Sequence, residues 1–151
     1  MRMVIQEVLS SSVNIDNKEV ASINRGELVL VGFTLSDNEK LIDKMIDKLL
    51  KLRIFPDENG KTNLSVKDID GEILSVSQFT LYANCVKGNR PSFTQALSPS
   101  EADKLFEYYK YKLSNLYPKV KFGIFQTDMK VNLINDGPFT LILDSKELFN
   151  E

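Results

Sequence analysis

The residues best placed to do chemistry are Ser77, Gln78 and Thr80, which with Phe79 follow the apolar run at residues 73–76. Two of them carry hydroxyls and Cys85 follows, giving three candidate nucleophiles in one stretch. Each needs an adjacent base to become reactive. The chain has no histidine, which removes Ser-His-Asp and Cys-His machinery, a histidine general base and any histidine-containing zinc site. Asp128 and Asp136 remain as bases, although Asx side chains more commonly satisfy nearby backbone groups in turns and at strand ends. Cys85 reads as an inert thiol rather than a nucleophile.

A second polar stretch, Asn135-Asp136-Gly137-Pro138-Phe139-Thr140, forms a corner between strand-like runs at residues 131–134 and 139–143. Gly137 reaches backbone angles closed to other residues. Pro138 fixes its own φ, lacks an N–H and accepts a cis peptide bond at small cost. One reading is a stiff loop whose backbone groups recognise something. The other is a β-hairpin closed by Asp-Gly, with Pro138 opening the returning strand.

These stretches need a scaffold, and the hydrophobic pattern supplies one. Residues 3–9, 12–15, 19–23 and 27–33 read as strands of a meander, with Asp16-Asn17-Lys18 as a turn. Ser36 followed by Glu39 predicts a capping box for a helix with an apolar stripe of Leu41, Ile42, Met45, Ile46, Leu49, Leu50 and Leu52. Residues 56–60 are a turn cluster. A short extended segment at 63–66 leads through Asp70-Gly71 to a strand at 72–77 whose end carries the first polar stretch. Residues 84–95 read as a surface loop. Ser98-Pro99-Ser100-Glu101 starts a second helix with an N-cap, an N1 proline and a capping-box glutamate. Its apolar face is Ala102, Leu105, Phe106, Tyr109, Leu113 and Leu116, with Lys104, Lys110 and Lys112 on its wet side. Strands at 120–125, 129–134 and 139–143 and a short charged tail complete an α/β pattern.

Composition narrows the class. A chain of 151 residues suits one domain, residues 1–151, with a substantial core. At 42% hydrophobic and 26% charged the values are those of a soluble globular protein, and no apolar run reaches the ~20 residues that span a bilayer. No signal-peptide pattern is present, and a single cysteine fits a reducing compartment, so a cytoplasmic protein is expected. A net charge of −2 and a pI near 5.3 argue against gripping long nucleic acid through a basic field, so any RNA contact should be local and no DNA partner is expected.

Ser77-Gln78-Phe79-Thr80-Leu81 followed farther on by Asn135-Asp136-Gly137-Pro138-Phe139-Thr140 resembles the D-aminoacyl-tRNA deacylase family, which clears tRNAs charged with D-amino acids. Met1-Arg2-Met3-Val4-Ile5-Gln6, Leu52-Arg53-Ile54-Phe55, Asn63-Leu64-Ser65-Val66, Lys87-Gly88-Asn89-Arg90-Pro91-Ser92-Phe93 and Asp128-Met129 extend the likeness over nearly the whole chain. The resemblance implies a three-layer α/β arrangement of packed, mostly antiparallel sheets with two helices on one face. It implies a homodimer in which the Gly-Pro corner of one subunit enters the pocket of the other. The partner would be the 3′ end of aminoacylated tRNA, with no cofactor and no metal.

The same resemblance implies roles. Gln78, Phe79 and Thr80 would line the pocket and offer backbone N–H groups while the 2′-hydroxyl of the terminal adenosine assists attack by water. The Thr80 hydroxyl would be a polar contact. Ser77, Phe125, Met129 and Asn135 would meet substrate, with Phe125 and Met129 beside the adenosine. Carbonyls of Gly137 and a cis Pro138 would bind the substrate amino group and exclude an L side chain, which leaves glycyl-tRNA as a side substrate. Lys87 and Arg90 are candidate phosphate contacts. The competing readings are structural: strand capping for Gln78 and Thr80, core packing for Phe79, Phe125 and Met129, a solvated connector for the loop.

The chain departs from the family at Glu7, where an arginine usually helps to hold the Gly-Pro corner. A carboxylate cannot donate that fork of hydrogen bonds, so another group must compensate or the corner is held differently. Phe139 stands where smaller residues are common. Two other classes fit the residues: a hydrolase with Thr80 as covalent nucleophile on small esters, and a non-catalytic dimer that binds tRNA ends.

Overall fold

The computed structural model describes residues 1–150. Its organising element is β1 (Arg2–Ile15), one long strand where the sequence pattern suggested two. One edge of β1 pairs along its length with the similarly long β8 (Lys130–Asp144), antiparallel. The other edge pairs with β2 (Lys18–Ile23) near its C-terminal end and with β3 (Gly26–Gly32) near its N-terminal end, both antiparallel. β2 and β3 therefore lie end to end as one interrupted partner of β1, and the expected meander is a long bent hairpin. Its turn is made by Asp16 and Asn17 at φ 48° and 63°, left-handed angles that Asx residues tolerate.

Beyond β3 the sheet continues in parallel through β6 (Glu72–Ser77) to β7 (Val120–Phe122). Parallel pairing requires crossovers. The first carries α1 (Glu39–Lys51) and a two-stranded ribbon of β4 (Phe55–Pro56) and β5 (Thr62–Leu64); the second carries α2 (Pro99–Leu116). The sheet curls nearly closed, so that β2 also approaches β6 and β7. Inside the curl lie Val8, Val13, Ala21, Ile23, Leu28, Leu74 and Val76. The larger core lies between the sheet and the helices, where Met3, Ile5, Val29 and Val31 meet the apolar stripe of α1 and Phe106, Tyr109 and Leu113 of α2.

Details of the helix starts differ from the sequence pattern. The N-cap of α1 is Asn38, whose side chain accepts the Leu41 N–H at 3.0 Å, because Thr34 and Asp37 form a separate turn in which the Asp37 carboxylate accepts the Thr34 N–H at 2.8 Å. Ser36 is consumed before the helix begins. Such a cap stabilises a helix by about 1 kcal/mol. In α2 the Ser98 hydroxyl donates to the Glu101 carboxylate at 2.6 Å, so the two bond each other rather than the backbone. Leu52 falls at the C-cap of α1, and Leu116 at the end of α2 is exposed. The charged tail forms a short helix, α3 (Ser145–Phe149), with Asp144 as its cap. No helix among the described residues is long and apolar enough to cross a membrane.

The hairpin reading of residues 135–140 is overturned by the ladder. Asn135 pairs with Val8 and Thr140 with Gln6, so the chain keeps its direction and stays on the same edge of β1. Between these pairs β1 has one residue, Glu7, and β8 has four. Residues 136–139 are thus a wide bulge thrown out from the edge strand opposite Glu7, a device that re-aims backbone without ending the strand.

Candidate active site

β6 ends at Ser77, and the chain passes into a short helical turn of the 3-10 type, Phe79–Tyr82. The Gln78 N–H still reaches the Val31 carbonyl at 2.7 Å, which fixes the turn against the end of β3. Gly32 makes that approach possible, for a Cβ there would lie 2.9 Å from the Gln78 carbonyl oxygen. The first N–H groups of such a turn have no acceptor within it, so those of Phe79 and Thr80 lead out from the strand end.

A cavity of about 630 Å³ opens beside this turn. Ser77, Gln78 and Phe79 line one side. Phe125 and Met129 line another, on the segment that joins β7 to β8. Gly123, buried at the start of that segment, leaves room for Met129, because a Cβ there would lie 2.6 Å from the Met129 Sδ. The bend is completed by Gln126 at φ 58° and by the Thr127 hydroxyl, which donates to the Ile124 carbonyl at 2.8 Å. The third wall is Phe33, Ala96, Leu97 and Ala102, with Phe93 packed edge-on to Phe79 at 5.1 Å between ring centroids.

The structure therefore brings Ser77, Gln78, Phe79, Phe125 and Met129 to one cavity. Thr80 stands just outside it, exposed, and its hydroxyl accepts from the Gln78 amide at 2.5 Å. Lys87 and Arg90 are exposed on the loop at 84–95, outside the lining, as is Cys85. Asp128 lines the cavity but faces Lys130, whose Nζ reaches its carboxylate at 2.7 Å. No cluster among the described residues is built to hold a metal ion. Phe33, Phe93 and Ala102 complete the wall although the sequence assigns none of them to a site; only the fold brings these distant apolar positions together.

Gly137 and Pro138 lie elsewhere, on the bulge of β8, and Asn135 is the paired residue just before it. The Gly137–Pro138 peptide bond is cis, and Gly137 has φ 135°. The Asn135 Oδ1 accepts the Phe139 N–H at 2.7 Å and its Nδ2 donates to the Thr140 hydroxyl at 2.8 Å. Both ends of the Asn135 carboxamide are thus engaged at the corner. Asp136 is half-buried beside Glu7. Burial, and then the Asp136 charge, raise the Glu7 carboxyl above its usual range, with Arg25 opposing.

The pattern that describes the D-Tyr-tRNA(Tyr) deacylase family matches residues 4–144. A curated D-aminoacyl-tRNA deacylase of Lactobacillus acidophilus is 54% identical over 144 residues, covering 95% of this chain and 99% of the relative. That of Geotalea daltonii is 51% identical over 145 residues, 96% of this chain and 97% of the relative, and that of Thermosipho africanus 49% over 149 residues, 99% and 100%. Among solved structures, one described as a c-Myc DNA Unwinding Element Binding Protein superposes with a TM-score of 0.90 at 40% identity, over 95% of this chain and 98% of that one. A probable eukaryotic D-amino acid tRNA deacylase superposes with a TM-score of 0.85 at 17% identity, over 94% and 97%, a likeness of fold.

Proposed function

The chain belongs to the D-Tyr-tRNA(Tyr) deacylase family and has its general activity, hydrolytic trans-editing of D-aminoacyl-tRNA, and on that premise we propose how its residues do it. The cavity receives the charged 3′ end, Phe125 and Met129 flank the terminal adenosine, and the N–H groups of Phe79 and Thr80 stabilise the oxyanion that forms as the ester carbonyl is attacked. The 2′-hydroxyl of that adenosine assists the attacking water. Attack breaks the ester bond, with the proton returned to the ribose oxygen that leaves, so free D-amino acid and tRNA are released.

The observation that carries this reading is a cavity with polar groups to position an ester and no nucleophile beside a base. Of its three hydroxyls, Ser98 donates to Glu101, Thr127 donates to the Ile124 carbonyl, and Ser77 is hydrogen-bonded to no base among the described residues; the one carboxylate in the lining, Asp128, is paired with Lys130. A protein so equipped acts by orienting the ester and the attacking water rather than by covalent attack.

Chiral selection is assigned to the Gly137–Pro138 corner, acting in the cavity of a second copy. β8 is an edge strand, and Leu133, Ile134 and Ile142 on it are exposed at 36%, 56% and 62%. An open edge carrying apolar side chains favours pairing with another chain, and the corner projects from that edge. The homodimer then has an active site at each subunit interface. Rejection is steric, so glycyl-tRNA mischarged on tRNA(Ala) is also cleaved, and the protein works in the cytoplasm, where tRNA is charged.

The test is deacylation of D-Tyr-tRNA, L-Tyr-tRNA and D-Tyr-tRNA ending in 2′-deoxyadenosine. Release from the D substrate alone, slowed about a hundredfold or more by the deoxy end, is expected. Equal rates with and without the 2′-hydroxyl would overturn the RNA-assisted mechanism, and equal rates on D and L would overturn the role of the corner.

A further inference from the structure

We propose that Asn135, Thr140 and Gln6 form a side-chain clamp that holds the Gly137–Pro138 corner in register, and that these are positioning residues for the discrimination between D and L substrates. The role in discrimination rests on the proposed function of the corner; the clamp itself rests on geometry.

Residues 136–139 leave the ladder, so the backbone pairs that fix the rest of β8 cannot fix them. Asn135 and Thr140 are the last paired residues on either side of the bulge. The Asn135 carboxamide spans it: Oδ1 accepts the Phe139 N–H at 2.7 Å, and Nδ2 donates to the Thr140 Oγ1 at 2.8 Å. The orientation of this amide is fixed by chemistry, since turning it over would set two donors against each other at Phe139. The Thr140 Oγ1 also accepts from the Gln6 Nε2 at 3.2 Å, which ties the downstream foot of the bulge to β1. Three side chains thus tie both feet of the four-residue loop and the Phe139 amide together in one chain of hydrogen bonds.

The residue opposite the loop cannot do this. Glu7 offers acceptors only, and it lies on the core face of β1 with Glu27, its cross-strand neighbour. Arg25, the cation that acts on Glu7, stacks on the Phe55 ring at 5.7 Å. The donors that brace the corner come instead from Asn135 and Gln6. Asn135, Thr140 and Gln6 all lie outside the lining of the cavity in their own chain, as positioning residues should.

The experiment compares wild-type protein with Asn135→Ala, Thr140→Val and Thr140→Ser for kcat/KM on D-Tyr-tRNA and L-Tyr-tRNA, alongside hydrogen exchange at the Phe139 amide. Thr140→Val keeps shape and β-branching and removes the hydroxyl, while Thr140→Ser keeps the hydroxyl. Expected are a fall of at least about tenfold in the D-over-L ratio for Asn135→Ala and Thr140→Val, two lost hydrogen bonds in each case. Near wild-type selectivity is expected in Thr140→Ser, and loss of Phe139 amide protection in Asn135→Ala. Folding is checked by the thermal midpoint, which a purely structural role would move in parallel with activity on both substrates and leave the ratio unchanged. Wild-type selectivity in both Asn135→Ala and Thr140→Val would overturn the clamp while sparing the function. A wild-type protein inert toward both substrates would overturn the function, and with it the clamp's role, even with the Phe139 amide protected.

Discussion

Glu7 and Glu27 sit directly opposite one another on β1 and β3, two carboxyl groups on the core face of the sheet beneath the bulge of β8. Glu27 is fully buried, and neither of its oxygens has a hydrogen-bond partner. Burial, and then the charge of Glu7, push its carboxyl up to about 8 from an ordinary 4.5. An unpaired charge in such a place costs far more than a neutral acid, so Glu27 is protonated in the folded protein at neutral pH.

Stability should therefore fall as pH rises. Between about 4.5 and about 8 the unfolded chain ionises Glu27 while the folded chain keeps its proton, so unfolding releases a proton. The penalty is absent below the lower value, grows by up to about 1.4 kcal/mol per pH unit across the interval, and is constant above the upper one. Glu27→Leu removes the titration. The difference in unfolding free energy between the two proteins, from urea titrations, should grow by a few kcal/mol from the acid to the alkaline end of the window; a difference that does not change with pH would show that Glu27 finds a partner in solution.

Gly137 should be intolerant of any side chain. Its φ of 135° lies where L residues are strained, and a Cβ would sit 3.1 Å from the Phe139 nitrogen. Gly137→Ala costs about 1–3 kcal/mol locally, and the corner relieves it by moving. Because residue 137 is exposed, the fold survives, with a thermal midpoint lowered by about 12 °C at most. Kinetics on D- and L-aminoacyl-tRNA should show a reduced D-over-L ratio, and an unchanged ratio would sever the corner from selectivity.

The strands and helices were legible because alternation and the 3.6-residue stripe are local properties. The long partnership of β1 with β8 was not, because nothing local distinguishes two runs joined by a hairpin from one strand interrupted by a bulge. Asp136-Gly137 carries the same turn chemistry in both cases, and the ladder decides. Ser77, Gln78, Phe79, Phe125 and Met129 were legible as a set through the family resemblance. Phe93 and Phe33 were not, since an apolar residue acquires a place in a wall only when distant segments pack. Glu27 was missed for the opposite reason: a carboxylate within the apolar run of β3 breaks the pattern, and that break was the signal.

Gly123 should control the cavity through Met129. Gly123→Ala places a methyl 2.6 Å from the Met129 Sδ and at an ordinary 3.5 Å from Val76, so the flexible thioether must yield toward the cavity it lines. A rise of about fivefold in KM for D-Tyr-tRNA is expected, the kinetic equivalent of about 1 kcal/mol of lost binding. Met129→Ala should relieve the clash, making the two substitutions non-additive in a double-mutant cycle. Additive effects would show that Gly123 acts elsewhere.

Thr80 separates covalent from RNA-assisted chemistry. As a nucleophile it would need a base, yet its hydroxyl lies outside the cavity lining and accepts from the Gln78 amide at 2.5 Å. In the proposed mechanism the group it presents toward substrate is its backbone N–H, which every replacement but proline retains. Thr80→Ala and Thr80→Val therefore lose one neutral hydrogen bond that orients Gln78, an effect of about two- to twelvefold on kcat/KM. Thr80→Pro removes the N–H and should lose about a hundredfold or more, the usual consequence of deleting an oxyanion donor. Circular dichroism and the thermal midpoint report whether the proline variant keeps its fold. Abolition of turnover by Thr80→Ala, with the fold intact and an acyl-enzyme trapped on the wild-type residue, would instead make Thr80 the attacking group.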